Sequence, residues 1–166
     1  ISCLTFLKYL NSYKITKIIS IVALLSAFSF SATAVTTTID FESTATGTYS
    51  SLTYGPVTIT FLGGDGKFDV NDATPGPPIS GHNVLSFFTN PGSDPFQATF
   101  GVPVSSVSIG MGDFNQDADE GNLEAYDSSN NLLDSDYLFV NGPVFGGGTL
   151  TVSSGTPIAR VTWFET

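Results

Sequence analysis

Cysteine is almost missing from this chain, whose 166 residues hold one, Cys3. A single thiol closes no disulfide within the chain, so stability has to come from packing and from any bound ion. Histidine and tryptophan are equally scarce, at His82 and Trp163. His82 would have to supply the base of any serine triad, yet it stands in SGHNV at a glycine-flanked loop end, where an incidental surface role is expected. Neither G-x-S-x-G nor H-E-x-x-H occurs, which removes the commonest signatures of serine hydrolases and zinc proteases.

Positive charge is the next shortage. Lys8, Lys14 and Lys17 lie near the start, and beyond residue 34 only Lys67 and Arg160 remain, against fifteen acidic residues that all fall from Asp40 onward. Two bases against fifteen acids leave that region at −13. Phosphate backbones and anionic headgroups need clustered Lys and Arg, so nucleic acid and membrane surfaces are excluded as partners and divalent cations are favoured. The three early lysines precede the apolar run IISIVALLSAFSF, Ile18 to Phe30, and the small residues of ATA, Ala32 to Ala34. This pattern predicts a signal peptide over 1–34, export, and a start at Val35. An uncleaved anchor is the alternative, although a largely apolar run of 13 residues falls short of the roughly 20 a spanning helix needs.

A helical apolar period is also lacking from Val35 onward. Short alternating runs bounded by Gly, Pro, Asn and Asp take its place: 36–42, 56–62, 83–88, 95–101, 103–110, 122–127, 132–140, 148–154 and 158–164. Such spacing predicts an all-β fold, an antiparallel β-sandwich or jelly roll, as a single domain over 35–166. Strand phase puts Leu85 with Phe87, and Val107 with Ile109, on inward faces. In IARVTWF it groups Trp163 with Ala159 and Val161 as core, and Arg160 with Thr162 and Phe164 on the other side.

What the chain has in excess is side-chain oxygen. GDFNQDADEGNLEAYD, from Gly112 to Asp127, places Asp113, Asn115, Asp117, Asp119, Glu120 and Glu124 within twelve residues. Counted from Asp113, all of these but Glu120 occupy ligand positions 1, 3, 5, 7 and 12 of a calcium loop, but Ala118 stands where the EF-hand has Gly and no helix flanks the segment. The expectation is a Ca²⁺ held by Asp113, Asn115, Asp117 and Asp119, completed by Glu120 or a backbone carbonyl, with Glu124 outside. An acidic solvated turn is the alternative. Phe114, inside the loop, is either an exposed stacking ring or a loop anchor. A second acidic segment, GGDGKFDVND at 63–72, carries Asp65, Asp69, Asn71 and Asp72 in a spacing that fits no metal template and reads as a solvated loop.

IDFE (39–42), PVTITF (56–61), GHNVLSF (81–87), ATFGVPVSSVSIGMGDFNQDADEGNLEAYDSSNNLLDSD (98–136) and IARVTWF (158–164) follow one another in an order that resembles secreted bacterial β-sandwich domains of PEP-CTERM-type exported proteins. The resemblance spans about residues 38 to 166 and implies a galactose-binding-like jelly roll with an extracellular or cell-surface life. The closing strand and the Pro-Glu-Pro sorting segment of that family are absent, so a truncated domain is expected. Together these features predict a secreted, noncatalytic, Ca²⁺-stabilised module that binds carbohydrate or an extracellular-matrix component. A polysaccharide hydrolase with a carboxylate pair is the alternative. A deep cleft with facing carboxylates would mark the enzyme, and a shallow aromatic face the binding module.

Overall fold

The computed structural model describes residues 36–72, 83–86, 94–112, 118–140 and 147–165. The expected signal peptide, His82, Phe87, Asp113, Phe114, Asn115 and Asp117 lie outside the described residues. Within them the protein is an all-β antiparallel sandwich with no helix.

Nine strands form two sheets. β1 (Gly47–Tyr49), β4 (Phe68–Asp72) and β5 (Asn83–Ser86) make a small sheet in the order β1-β4-β5. The large sheet has the order β2-β3-β6-β9-β7-β8, built from β2 (Ser51–Tyr54), β3 (Val57–Phe61), β6 (Phe96–Gly112), β7 (Asp119–Tyr126), β8 (Leu132–Val140) and β9 (Gly147–Glu165). Two turns set the register. Gly55 takes a positive φ of 57° ahead of Pro56, the pattern of a two-residue hairpin with Gly in the first central position, and Tyr54 pairs with Val57 across it. Between β7 and β8, the Asp127 carboxylate accepts the Ser129 and Asn131 backbone N–H groups at 2.8 and 2.9 Å and the Asn131 side-chain amide at 2.8 Å. Asn130 sits there at φ 65°, a left-handed conformation that Asn tolerates better than most residues.

Alternation along the strands gives the core two continuous rows. Phe61, Phe96, Trp163 and Leu123 lie opposite one another across β3, β6, β9 and β7, and Ile59, Ala98, Val161 and Ala125 form the row beside them. Trp163 stacks on Phe96 with 5.3 Å between ring centroids and 10° between planes, which matches its expected core role. The small sheet closes over these rows through Phe68, whose ring meets that of Phe96 edge-on at 5.6 Å. Leu85, Val107 and Ile109 pack against the same cluster, on the expected faces.

β6 and β9 are much longer than an ordinary strand, with 17 and 19 residues. Their pairing is interrupted by register shifts between Thr99 and Ser106, irregularities that bend strands. The bend brings their far halves over the inner face of β7 and β8. A Cβ added to Gly121 of β7 would meet Met111 Sδ at 2.1 Å, and one on Gly148 of β9 would meet Leu138 Cδ2 of β8 at 2.7 Å. A side chain at either position would have to displace the end of Met111 or of Leu138, so glycine lets these side chains pack directly on the backbone at both crossings.

Several boundaries differ from those expected. Residues 36–42 form an irregular entry and a turn rather than a strand, with Phe41 at φ 61° and its carbonyl accepting the Thr44 N–H at 2.9 Å. The expected strands 95–101 and 103–110 merge into β6, and 148–154 and 158–164 merge into β9. The second acidic segment is a loop only at its start. Asp65 bridges Lys67 at 3.4 Å in the turn, but 68–72 is β4, with Phe68 and Val70 buried. Asp69 and Asn71 face the other way, accepting from Thr48 Oγ1 at 2.6 Å and donating to Ser86 Oγ respectively.

Candidate binding face

The face of the large sheet turned away from the core carries the most varied chemistry. In β7 the residues Gly121, Leu123 and Ala125 are buried, so Glu120, Asn122, Glu124 and Tyr126 emerge on the outer side. Cross-strand register then assembles the face. Glu120 lies opposite Phe139, Asn122 between Tyr137 and Phe164, Glu124 between Ser135 and Thr162, and Tyr126 between Leu132 and Arg160.

Two aromatic rings on the edge strand are open to solvent. Tyr137 is 53% exposed and Phe139 is 50% exposed, unusual for neighbouring large rings on one strand face. The Tyr137 hydroxyl is held by Glu120, and partial burial followed by that hydrogen bond raises its pKa above the ordinary tyrosine value. At the other end of β7 a chain of contacts runs from Asn130 to Thr162. Arg160 donates from Nε to Asn130 Oδ1 at 3.1 Å and lays its guanidinium over the Tyr126 ring, 3.8 Å from the centroid. Tyr126 donates its hydroxyl to Glu124 Oε2, which also accepts from Thr162 Oγ1 at 3.5 Å. The bond to Glu124, ahead of burial, raises the Tyr126 pKa. These contacts hold Arg160 through Nε and its flat side, and its terminal amino groups take no part in them.

Phe139 and Tyr137 occupy this face because the opposite phase of β8 is taken by carboxylates. Asp134 and Asp136 lie opposite Ala125 and Leu123, on the core side. Their Oδ2 atoms accept backbone N–H groups of β9, from Ser153 at 2.8 Å and Thr151 at 2.7 Å. These two N–H groups belong to the edge of β9 that faces β8, so the carboxylates cap an otherwise open strand edge.

Of the residues expected to hold Ca²⁺, Asp119 and Glu120 are described. The strand starts three residues earlier than expected, at Asp119 rather than Asn122, and takes both into β7, opposite Val140 and Phe139 respectively. Consecutive strand residues point to opposite faces, so the two side chains diverge. Glu124, expected outside the shell, is committed to Tyr126 and Thr162. Among the described residues no group of three or more His, Cys, Asp or Glu converges as a metal set. Comparison with protein-family models, with curated proteins and with solved structures finds no match for this chain.

Proposed function

We propose that the protein is an exported, noncatalytic carbohydrate-binding module whose binding surface is the outer face of β7, β8 and the end of β9. The observation that carries this reading is the pair of open rings, Tyr137 and Phe139, set beside Phe164, Glu120 and Asn122. Sugars present apolar C–H faces and a rim of hydroxyls, and flat aromatic surfaces next to carboxylate and amide groups complement both. The charge of −13 beyond residue 34 favours a neutral glycan over an anionic one. The lysine-flanked apolar run and the resemblance to exported bacterial sandwich domains support an extracellular setting.

Hydrolysis is the less favoured reading. The two glutamates of this face, Glu120 and Glu124, stand four residues apart on one strand, hence about 13 Å apart along it. Paired catalytic carboxylates stand roughly 5–9.5 Å apart. Both are also engaged with tyrosines, which suits fixed hydrogen-bonding groups.

Affinity electrophoresis through gels containing soluble neutral polysaccharides tests the proposal. The wild-type chain should be retarded by at least one of them, and Tyr137→Ala and Phe139→Ala should each weaken retention about five- to tenfold, the loss expected when half of a ring's apolar surface no longer covers a sugar. Free migration in every gel, or unchanged retention of both variants, would sink it.

Ca²⁺ at the acidic loop belongs to the same proposal in a narrower form. Because Asp119 and Glu120 diverge, one ion held by Asp113, Asn115 and Asp117 draws on the side chain of at most one of them. Ca²⁺ at a hundredfold excess over its dissociation constant would stabilise the domain by about 2.7 kcal/mol. Identical melting in chelator and in Ca²⁺ would remove the ion from the account.

A further inference from the structure

Resting on the carbohydrate reading, the geometry points to a specific ligand form: we propose that the face takes an extended neutral glycan chain lying along β7, rather than a single terminal sugar, with Arg160 and Glu124 forming a subsite remote from the aromatic pair. The outer face offers groups at every second position of β7, from Glu120 to Tyr126. Six residues of strand cover roughly 20 Å, several times the width of one sugar ring. One end, at Phe139, Tyr137 and Phe164, is apolar and suited to stacking. The other is a linked polar array, in which Asn130 fixes Arg160 Nε and the Tyr126 ring supports the guanidinium plane.

That array is prepared for hydroxyl groups. The side chain is restrained on two sides, so less entropy is lost when its terminal amino groups bind a ligand. Glu124 lies beside it as an acceptor, tied to Tyr126 and Thr162. A guanidinium fork donates and a carboxylate accepts, and adjacent sugar hydroxyls do both. A carboxylated sugar would meet Arg160 favourably but would also meet Glu124 and Glu120, so the pair of signs selects neutral rings. Between the two ends, Glu124 stands between exposed Ser135 and buried Thr162, with the Tyr126 hydroxyl reaching it along the strand, so a chain passing from one end to the other crosses Ser135 and the Glu124 carboxylate.

Titration calorimetry of the full chain with neutral oligosaccharides of two, four and six rings, in the β-1,4-glucan, β-1,3-glucan, xylan and mannan series, tests the inference. For the series that binds, six rings should bind at least roughly tenfold more tightly than two, the gain of about one good hydrogen-bonding subsite. Arg160→Met should bring six-ring affinity down to the two-ring level and leave two-ring affinity unchanged. Tyr137→Ala should weaken both. Arg160→Lys, which keeps the charge but loses the fork, should behave as Arg160→Met, and a melting curve of each variant verifies folding. Equal affinity for two and six rings, an equal loss for both lengths in Arg160→Met, or tighter binding of uronate oligomers would overturn the extended-chain inference while the carbohydrate reading stands. Absence of binding in every series would overturn both.

Discussion

Removing the two carboxylates that cap the edge of β9 probes the part of the architecture on which the binding face depends. Asp134 and Asp136 point toward the core side of an edge strand, and each accepts one backbone N–H of β9, from Ser153 at 2.8 Å and from Thr151 at 2.7 Å, besides the local N–H of the next residue, Ser135 at 3.0 Å and Tyr137 at 2.9 Å. A hydrogen bond to a charged group contributes about 1.5–3 kcal/mol. The low end applies here, because Thr151 and Ser153 are exposed and water replaces the lost acceptor. The double change Asp134→Ala, Asp136→Ala should therefore cost about 3 kcal/mol, taking the two sites as independent. For a domain of this size that lowers the melting temperature by roughly 10 °C. Asp134→Asn with Asp136→Asn keeps an acceptor oxygen and loses only the charge, so it should cost less than half as much. Thermal unfolding followed by circular dichroism measures both. The alanine pair should also aggregate more readily, since the edge of β9 is then open to pair with another chain. A melting temperature within 1–2 °C of wild type for the alanine pair, well below the expected shift, would show that these carboxylates are only solvated.

Phe68→Ala should cost roughly 3–5 kcal/mol, because the ring is buried against Phe96 and Tyr49 and truncation leaves a cavity; chemical denaturation reads it, and a loss under about 1 kcal/mol would return residues 68–72 to a solvated loop. Asp127 has its pKa lowered, first by the Asn131 side chain and then by the Asn131 backbone, from an ordinary 3.8. A carboxyl whose folded pKa is depressed adds stability above its unfolded pKa and loses it as pH falls through the folded value. The melting difference between wild type and Asp127→Ala should accordingly be largest at neutral pH and shrink as pH falls below the ordinary 3.8; a difference independent of pH would assign the turn's stability to something other than the carboxylate.

The sandwich was legible in the sequence because alternation survives wherever one strand face is buried, as in PVTITF and IARVTWF. Element limits were less so. β4 was hidden because Asp69, Asn71 and Asp72 surround Phe68 and Val70, and a five-residue strand with two apolar positions looks like a polar loop until Phe68 is seen against Phe96. Likewise Pro103 and the glycine before it suggest a break between two strands, whereas β6 bends there and continues. The binding face was half readable. Phase correctly set Arg160, Thr162 and Phe164 apart from Trp163, but β8 inverts the usual rule. In LLDSDYLFV the polar Asp134 and Asp136 take the core side because β9 supplies N–H donors to them, which leaves Tyr137 and Phe139 outside. No local pattern reveals that inversion, since the donors lie fifteen or more residues away in sequence.

Chemical-shift mapping of backbone amides during titration with a bound neutral oligosaccharide tests the central claim most directly. The account predicts shifts confined to Glu120–Tyr126, Ser135–Phe139 and Arg160–Phe164, with β2 and the small sheet unmoved. Shifts centred on the 113–118 loop, on the small sheet, or nowhere on β7 and β8 would contradict it.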